Sequence, residues 1–305
     1  MLLKQVPEDF IVEEKISLEF TPGLFLYVQV RKKNRTTLDV AQELARQLRI
    51  PLKHIGFAGL KDKAALTTQV FSLKSIHKER LYSVSLNTVE LTVLGQGVIP
   101  VSLGAHEGNK FTIVVRDIDK LPIACRKVLN LFGEQRFSKN NEEIGHALIH
   151  KDFTTAAKLV AEQHEEARFA LQHEPRNPIG ALQVLPLKLL RLYVSAFQAH
   201  IWNSAVHTCQ HAEKTLPLPG FGMREEECVI EVMKNEKVNA RDFVIPQLPQ
   251  VSAEGGERSV FVDVEELQIG QLLDDELNPG KKKCFLEFYL TKGAYATEVV
   301  KQMVK

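Results

Sequence analysis

One carboxylate stands between two ammonium groups in the run Gly59-Leu60-Lys61-Asp62-Lys63, and this is the densest chemical signal in the chain. Such a triplet is ordinarily a solvated surface turn. The same cations favour an ionised Asp62, the form a nucleophile needs. Lys61 and Lys63 neighbour Asp62 along the chain, and side chains adjacent on extended backbone point away from one another. Gly56 and Gly59 allow a ligand or another segment to approach the backbone closely.

Other reactive residue types lack the company their chemistry requires. His200, His207 and His211 share a helical face, and His146 and His150 are spaced i,i+4, but no Cys or carboxylate completes a zinc set. Ser195 and Ser204 have no nucleophile motif around them, and there is no G-x-G-x-x-G or P-loop. Neither a metal nor a nucleotide cofactor is expected. Cys125, Cys209, Cys228 and Cys284 lie far apart with no C-x-x-C spacing, and read as four free thiols of a reducing, cytoplasmic setting.

The elements that must position Asp62 follow an α+β order. Strands are expected at Phe10 to Ile16, Leu24 to Arg31, Ile55 to Gly59, Thr67 to Leu73, Thr88 to Leu94, Lys110 to Asp117 and Cys284 to Leu290. Asp62 thus tops a hairpin. Thr36-x-x-Asp39 opens a helix with Val40, Ala41, Leu44 and Leu48 on its apolar face, and Pro51 ends it. The pattern is mostly helical from Leu121 to about Gln172 and again from Leu187 to Ala212, and a last helix opens at Thr297. Strands at both ends around a helical middle predict a sheet domain, 1–150 and 253–305, interrupted by a smaller, largely helical domain, 151–252.

A chain of 305 residues with net charge +1 must concentrate its cations to bind nucleic acid. Arg31 to Arg35, Lys74 to Arg80 and Lys281 to Lys283 could do so, or could be ordinary solvated turns. No apolar run approaches the length of a membrane span.

Motifs in order along the chain resemble the TruD family of tRNA pseudouridine synthases. They are Pro7-Glu8-Asp9-Phe10-Ile11-Val12-Glu13-Glu14, the G-x-K-D-x-x-A-x-T-x-Q run from Gly59 to Gln69, Gly104-x-x-x-Gly108-Asn109-x-Phe111, Asn130-Leu131-Phe132-Gly133-Glu134-Gln135-Arg136-Phe137, and Gly293-Ala294-Tyr295-Ala296-Thr297. Leu131, Ser138 and Ala294 depart from the family pattern, and the middle region is short for the family.

The resemblance implies a mixed or antiparallel-sheet pseudouridine synthase catalytic domain carrying a TRUD-type insertion domain. It also implies a cofactor-independent isomerase, an intramolecular transferase, that converts uridine-13 in the D arm of tRNA with Asp62 as nucleophile. Attack at ribose C1′, passage through a glycal and addition at C6 of the base all remain open. Tyr295 is expected to stack on the flipped base, Asn130 to read the uracil edge, and Phe10 to lie near the pocket. Lys61 is expected to hold phosphate or order the loop, while Phe132, Gln135 and Arg136 complete substrate binding. Asp62 is expected on the floor of a cleft with Phe10, Asn130 and Tyr295 around it. The partner is tRNA, through its backbone and the flipped uridine, with no membrane and no metal, and the enzyme is expected to be a monomer. The alternative is an RNA-binding or RNA-chaperone protein that keeps the fold without catalysis.

Overall fold

The computed structural model describes residues 1–134, 140–209 and 214–304. In chain order its strands and helices are β1 (Phe10–Lys15), β2 (Phe25–Lys33), α1 (Thr37–Leu48), β3 (Ile55–Phe57), β4 (Leu66–Lys74), α2 (Lys78–Leu81), β5 (Val89–Gly97), β6 (Gly108–Ile118), β7 (Lys127–Leu129), α3 (Asn141–Ile149), α4 (Phe153–Gln163), α5 (Glu165–His173), α6 (Pro178–Gln183) and α7 (Leu187–Thr208). They continue with β8 (Thr215–Leu218), α8 (Glu227–Asn235), β9 (Gly256–Ser259), β10 (Phe261–Asp263), β11 (Glu265–Ile269), β12 (Leu273–Asp274), β13 (Lys282–Thr291) and α9 (Ala296–Met303).

Two compact units divide the chain, one of Met1–Val128 with Val262–Lys305 and one of Leu129–Phe261. The crossings therefore fall at 128/129 and 261/262, not at the expected 150 and 253. Val128 and Val262 are buried in the same apolar core of the first unit, so its chain leaves and returns at neighbouring points.

The first unit is built on one mixed sheet in the order β11-β13-β6-β1-β4-β2-β5, with β12 on β13 and β3 on β4. Only β1 and β4 run parallel among the pairs that flank the loop of Asp62; β1 with β6, β2 with β4 and β3 with β4 are antiparallel. Cross-strand partners share a face. Register thus places Phe10, Val12, Phe111, Ile113, Leu286 and Phe288 on one face, where α9 covers them with Val299, Val300 and Met303. Val12 pairs with Thr67, and β4 pairs with β2, so the same face continues through Phe71, Leu73, Val28 and Val30, which α1 covers.

Helix α1 starts as its sequence requires. The Thr36 hydroxyl accepts from the Asp39 amide while Asp39 accepts from the Thr36 amide, and Val40, Ala41, Leu44 and Leu48 are all buried.

Between the two helix-covered halves the same face carries polar residues. Lys32 opposes Thr67 and Glu14 opposes Asn109, with Gln69 opposite Val30. Lys32, Glu14, Asn109 and Gln69 hold the connection from β3 to β4, which carries Asp62.

The second unit is largely helical. Helices α3 and α7 pack so closely that a Cβ on Gly145 would fall 2.1 Å from the Tyr193 carbonyl oxygen, which only glycine permits. Two expectations fail, the first in the first unit and the second in the second. Residues 121–126 form no helix, because their backbone pairs elsewhere: Ile123 N–H donates to Met303 O, and Arg126 O accepts from Val264. Cys209 and Cys228 are not free thiols. The end of α7 and the first turn of α8 bring their Cα atoms to 5.7 Å, and they form a disulfide. Their separation of 19 residues hid a pairing that the helix packing creates. Among the described residues, Cys125 and Cys284 are the free cysteines.

No helix among the described residues is long and apolar enough to cross a membrane.

Candidate active site

The loop between β3 and β4 has little regular structure of its own, and surrounding groups fix its main chain. Gly104 N–H donates to Ala58 O at 2.7 Å, and the Gln69 amide nitrogen donates to Gly59 O at 3.1 Å. The Thr37 hydroxyl accepts from Lys61 N–H at 2.9 Å and donates to Gln69 Oε1 at 2.8 Å. Lys32 Nζ donates to Asp62 O at 3.1 Å and to Arg35 O at 2.6 Å. The sequence pattern ending at Gln69 is explained by these bonds, since Gln69 and Thr37 together clamp the loop from the sheet and the helix.

With the backbone fixed, the three charges diverge. Lys61 turns inward, its side chain 8% exposed, with Nζ 2.5 Å from Asn109 Oδ1 and 2.9 Å from Glu14 Oε2. The Glu14 side chain is fully buried, and its Oε1 accepts from Val70 N–H. Lys63 is exposed. The cation that meets Asp62 comes from elsewhere. Lys4 Nζ lies 2.6 Å from Asp62 Oδ2, and the Asp62 side chain remains 38% exposed. Asp62 is thus a carboxylate with one cation at hand and one side open.

Electrostatics around the loop reflect its burial. Lys32 is fully enclosed, and burial pushes its ammonium down to about 8, against the opposing pull of Asp62. His106 lies beside Gly59 and is shifted down by burial, with Lys61 adding to the effect. Its Nδ1 is buried without a hydrogen-bond partner among the described residues.

The C-terminal turn is tied to the same neighbourhood. Lys292 N–H donates to Glu107 O, and Lys292 Nζ donates to Gly104 O, each at 3.0 Å. Residues 104–107 therefore hold both the Asp62 loop, through Ala58, and the turn that leads to Tyr295. Tyr295 is half-buried at the N-terminal cap of α9.

The remaining expected site residues are distributed unevenly. Phe10 is 3% exposed, an edge-on neighbour of Phe111 in the core, and the Lys4 ammonium sits 4.1 Å from its ring centroid. Its ring supports the partner of Asp62 and offers no open face. Asn130 and Phe132 belong to the second unit. There Arg258 donates to Asn130 Oδ1 at 2.7 Å, the Asn130 amide donates to Ser259 O, and Arg258 covers the Phe132 ring at 4.0 Å. Gln135 and Arg136 lie outside the described residues.

Lys4, Glu14, Lys32 and Asn109 were not singled out as site residues from sequence. Glu14 and Asn109 stood within recognisable motifs and could have been found there. Lys4 had no local signal, and Lys32 was hidden in a basic run. That run is no open cationic patch: Lys32 is enclosed, Arg31 reaches Glu90, Lys33 reaches Glu8 and Arg35 reaches Glu43. The lysines at 281–283 likewise meet Asp119, Asp274 and Glu276.

His200 lies between Glu142 at 2.8 Å and Glu236 at 3.2 Å. Among the described residues no group of three or more His, Cys, Asp or Glu is arranged to hold a metal.

The family model described as tRNA pseudouridine synthase D (TruD) matches residues 1–169 and 207–303. A protein of Methanosarcina acetivorans described as a probable tRNA pseudouridine synthase D is 30% identical, with 99% of this chain and 92% of that protein aligned. A tRNA pseudouridine synthase D of Syntrophotalea carbinolica is 32% identical over 70% of this chain and 65% of its own. The crystal structure of the Methanosarcina mazei protein assigned to the same family superimposes with a TM-score of 0.76 at 28% identity, covering 99% of this chain and 93% of that one.

Proposed function

We propose, from the premise that this chain belongs to the tRNA pseudouridine synthase D family, that it isomerises uridine to pseudouridine in tRNA, at position 13 of the D arm, with Asp62 as the nucleophile. The observation that carries the assignment of Asp62 is its setting. It is a partly open carboxylate with a lysine at 2.6 Å, on a loop whose main chain is fixed from several sides.

The chemistry fits one carboxylate. Substrate and product contain the same atoms, so no water is consumed and no proton is gained overall. Glycoside hydrolysis, by contrast, needs a second carboxylate to handle water and leaving group. Asp62 attacks C1′, assists a glycal or adds at C6, and in each route Lys4 stands beside the carboxylate at 2.6 Å. Lys61, pinned to Glu14 and Asn109, orders the loop and is not free to hold phosphate.

A base inside folded tRNA must be flipped out at a cost of a few kcal/mol. Tyr295 stacks on that base, an interaction worth about 1–3 kcal/mol. Asn130 is held by its bonds to Ser259 and Arg258 and carries the amide type that can pair with a uracil edge. In this reading the first unit is the catalytic domain and the second the insertion domain.

The test incubates unmodified tRNA transcripts with wild type and Asp62→Asn and maps pseudouridine. Product at position 13 from wild type alone is expected. Binding without modification by wild type would support the RNA-chaperone reading instead, and equal product from both proteins would remove Asp62 from the chemistry.

A further inference from the structure

We propose that Lys32 is a positioning residue for catalysis, its buried ammonium holding the main chain of Asp62 so that the carboxylate faces the substrate. The proposal rests on Asp62 being the nucleophile.

Lys32 occupies a core position of β2, with Thr67 of β4 and Val89 of β5 as its register partners, neither of which titrates. The charged groups acting on it are Asp62 and Lys61 from the loop and Asp39 from α1. Its side chain is wholly enclosed, yet among the described residues no carboxylate forms an ion pair with its Nζ. The ammonium donates to two main-chain carbonyls, Arg35 O at 2.6 Å and Asp62 O at 3.1 Å. One bond fixes the chain entering α1, and the other fixes the residue that carries the nucleophile.

A buried ammonium is a cost to folding, because it has left water for a low-dielectric interior. That Lys32 titrates well below a free lysine is the sign of this cost. A methionine of similar length would fill the space without it. What methionine could not do is donate to Asp62 O. Bonds from a charged donor are roughly twice as strong as neutral ones, so Lys32 sets the loop most firmly while protonated.

Single-turnover pseudouridine formation on unmodified tRNA transcripts tests this with Asp62→Asn, Lys32→Met and Lys32→Arg. Asp62→Asn is expected to be inactive; if it turns over like wild type, the nucleophile reading falls and this proposal with it. Lys32→Met is expected to lose about 100-fold in rate, the scale of a small misplacement of a reacting group, while tRNA affinity stays unchanged. Lys32→Arg is expected to recover most of the rate. Wild type should slow as pH rises through about 8, and Lys32→Arg should lack that decline. A Lys32→Met protein with the wild-type rate overturns the proposal. Should Lys32→Met fail to fold, Lys32→Gln takes its place: a loss of about tenfold in rate at unchanged tRNA affinity is expected, and the wild-type rate overturns the proposal.

Discussion

Lys4 and Asp62 stand 58 residues apart in sequence and 2.6 Å apart in space, and the pair leaves the Asp62 side chain partly open. The Lys4 ammonium also rests on the Phe10 ring, so a core aromatic fixes the height of the cation beside the carboxylate. Lys4 adopts a left-handed backbone conformation, φ 60°, unusual for lysine. The segment before it is anchored by Leu2, which exchanges backbone hydrogen bonds with Arg116.

This pair predicts a separation of effects. Lys4→Met should change stability by no more than about 1 kcal/mol, as for other part-exposed ion pairs. It should slow single-turnover catalysis by about tenfold, the equivalent of about 1.4 kcal/mol in the transition state. Thermal unfolding alongside rapid-quench kinetics would check this; an unchanged rate would leave Lys4 a purely structural partner.

Glu14 and Lys61 behave differently because they are enclosed. Removing either partner alone, as Glu14→Gln or Lys61→Met, should destabilise the protein by about 3–5 kcal/mol, since the survivor is a buried charge without its counter-ion. The double substitution should be less harmful than the sum of the two. Urea denaturation of the four proteins provides the cycle, and strict additivity would show that the two charges do not interact.

Lys32 makes a prediction about pH and stability whose sign is opposite to its effect on rate. Its folded value, about 8, lies below that of a free lysine. Between about pH 8 and 10.5 the unfolded chain therefore binds more protons than the folded one, and linkage makes the Lys32 contribution to stability rise with pH. Wild type compared with Lys32→Met in denaturant at pH 7 and at about pH 9.5 should show the wild-type disadvantage shrinking at the higher pH. A difference independent of pH would mean that Lys32 does not titrate in the folded protein over this range.

The Cys209–Cys228 disulfide closes a short loop between α7 and α8. Loops of this size are stabilised by about 3 kcal/mol on crosslinking. Wild type should lose about that much on reduction with dithiothreitol, while Cys209→Ser should respond to the reductant very little. Equal melting with and without reductant would show that the crosslink adds nothing.

Sequence by itself determined the local parts of this protein. The Thr36–Asp39 capping box, the apolar face of α1 and the hairpin bearing Asp62 all depend on neighbours within a few residues, so spacing reveals them. The family motifs marked Asp62, and they contained Glu14, Gln69 and Asn109 without saying what these residues do. Tertiary structure alone decided which charges meet. Adjacency suggested Lys61 and Lys63 as the companions of Asp62, but the bends of the loop aim Lys61 at Glu14 and leave Lys63 in solvent. Lys4 and Lys32 reach Asp62 only because the sheet sets β1, β2 and β4 side by side. The same reason hid the disulfide and the short strand at Lys127–Leu129. In each case the partner is remote in sequence, and an electrostatic or hydrogen-bonding contact is governed by distance in space, of which a linear spacing carries no record.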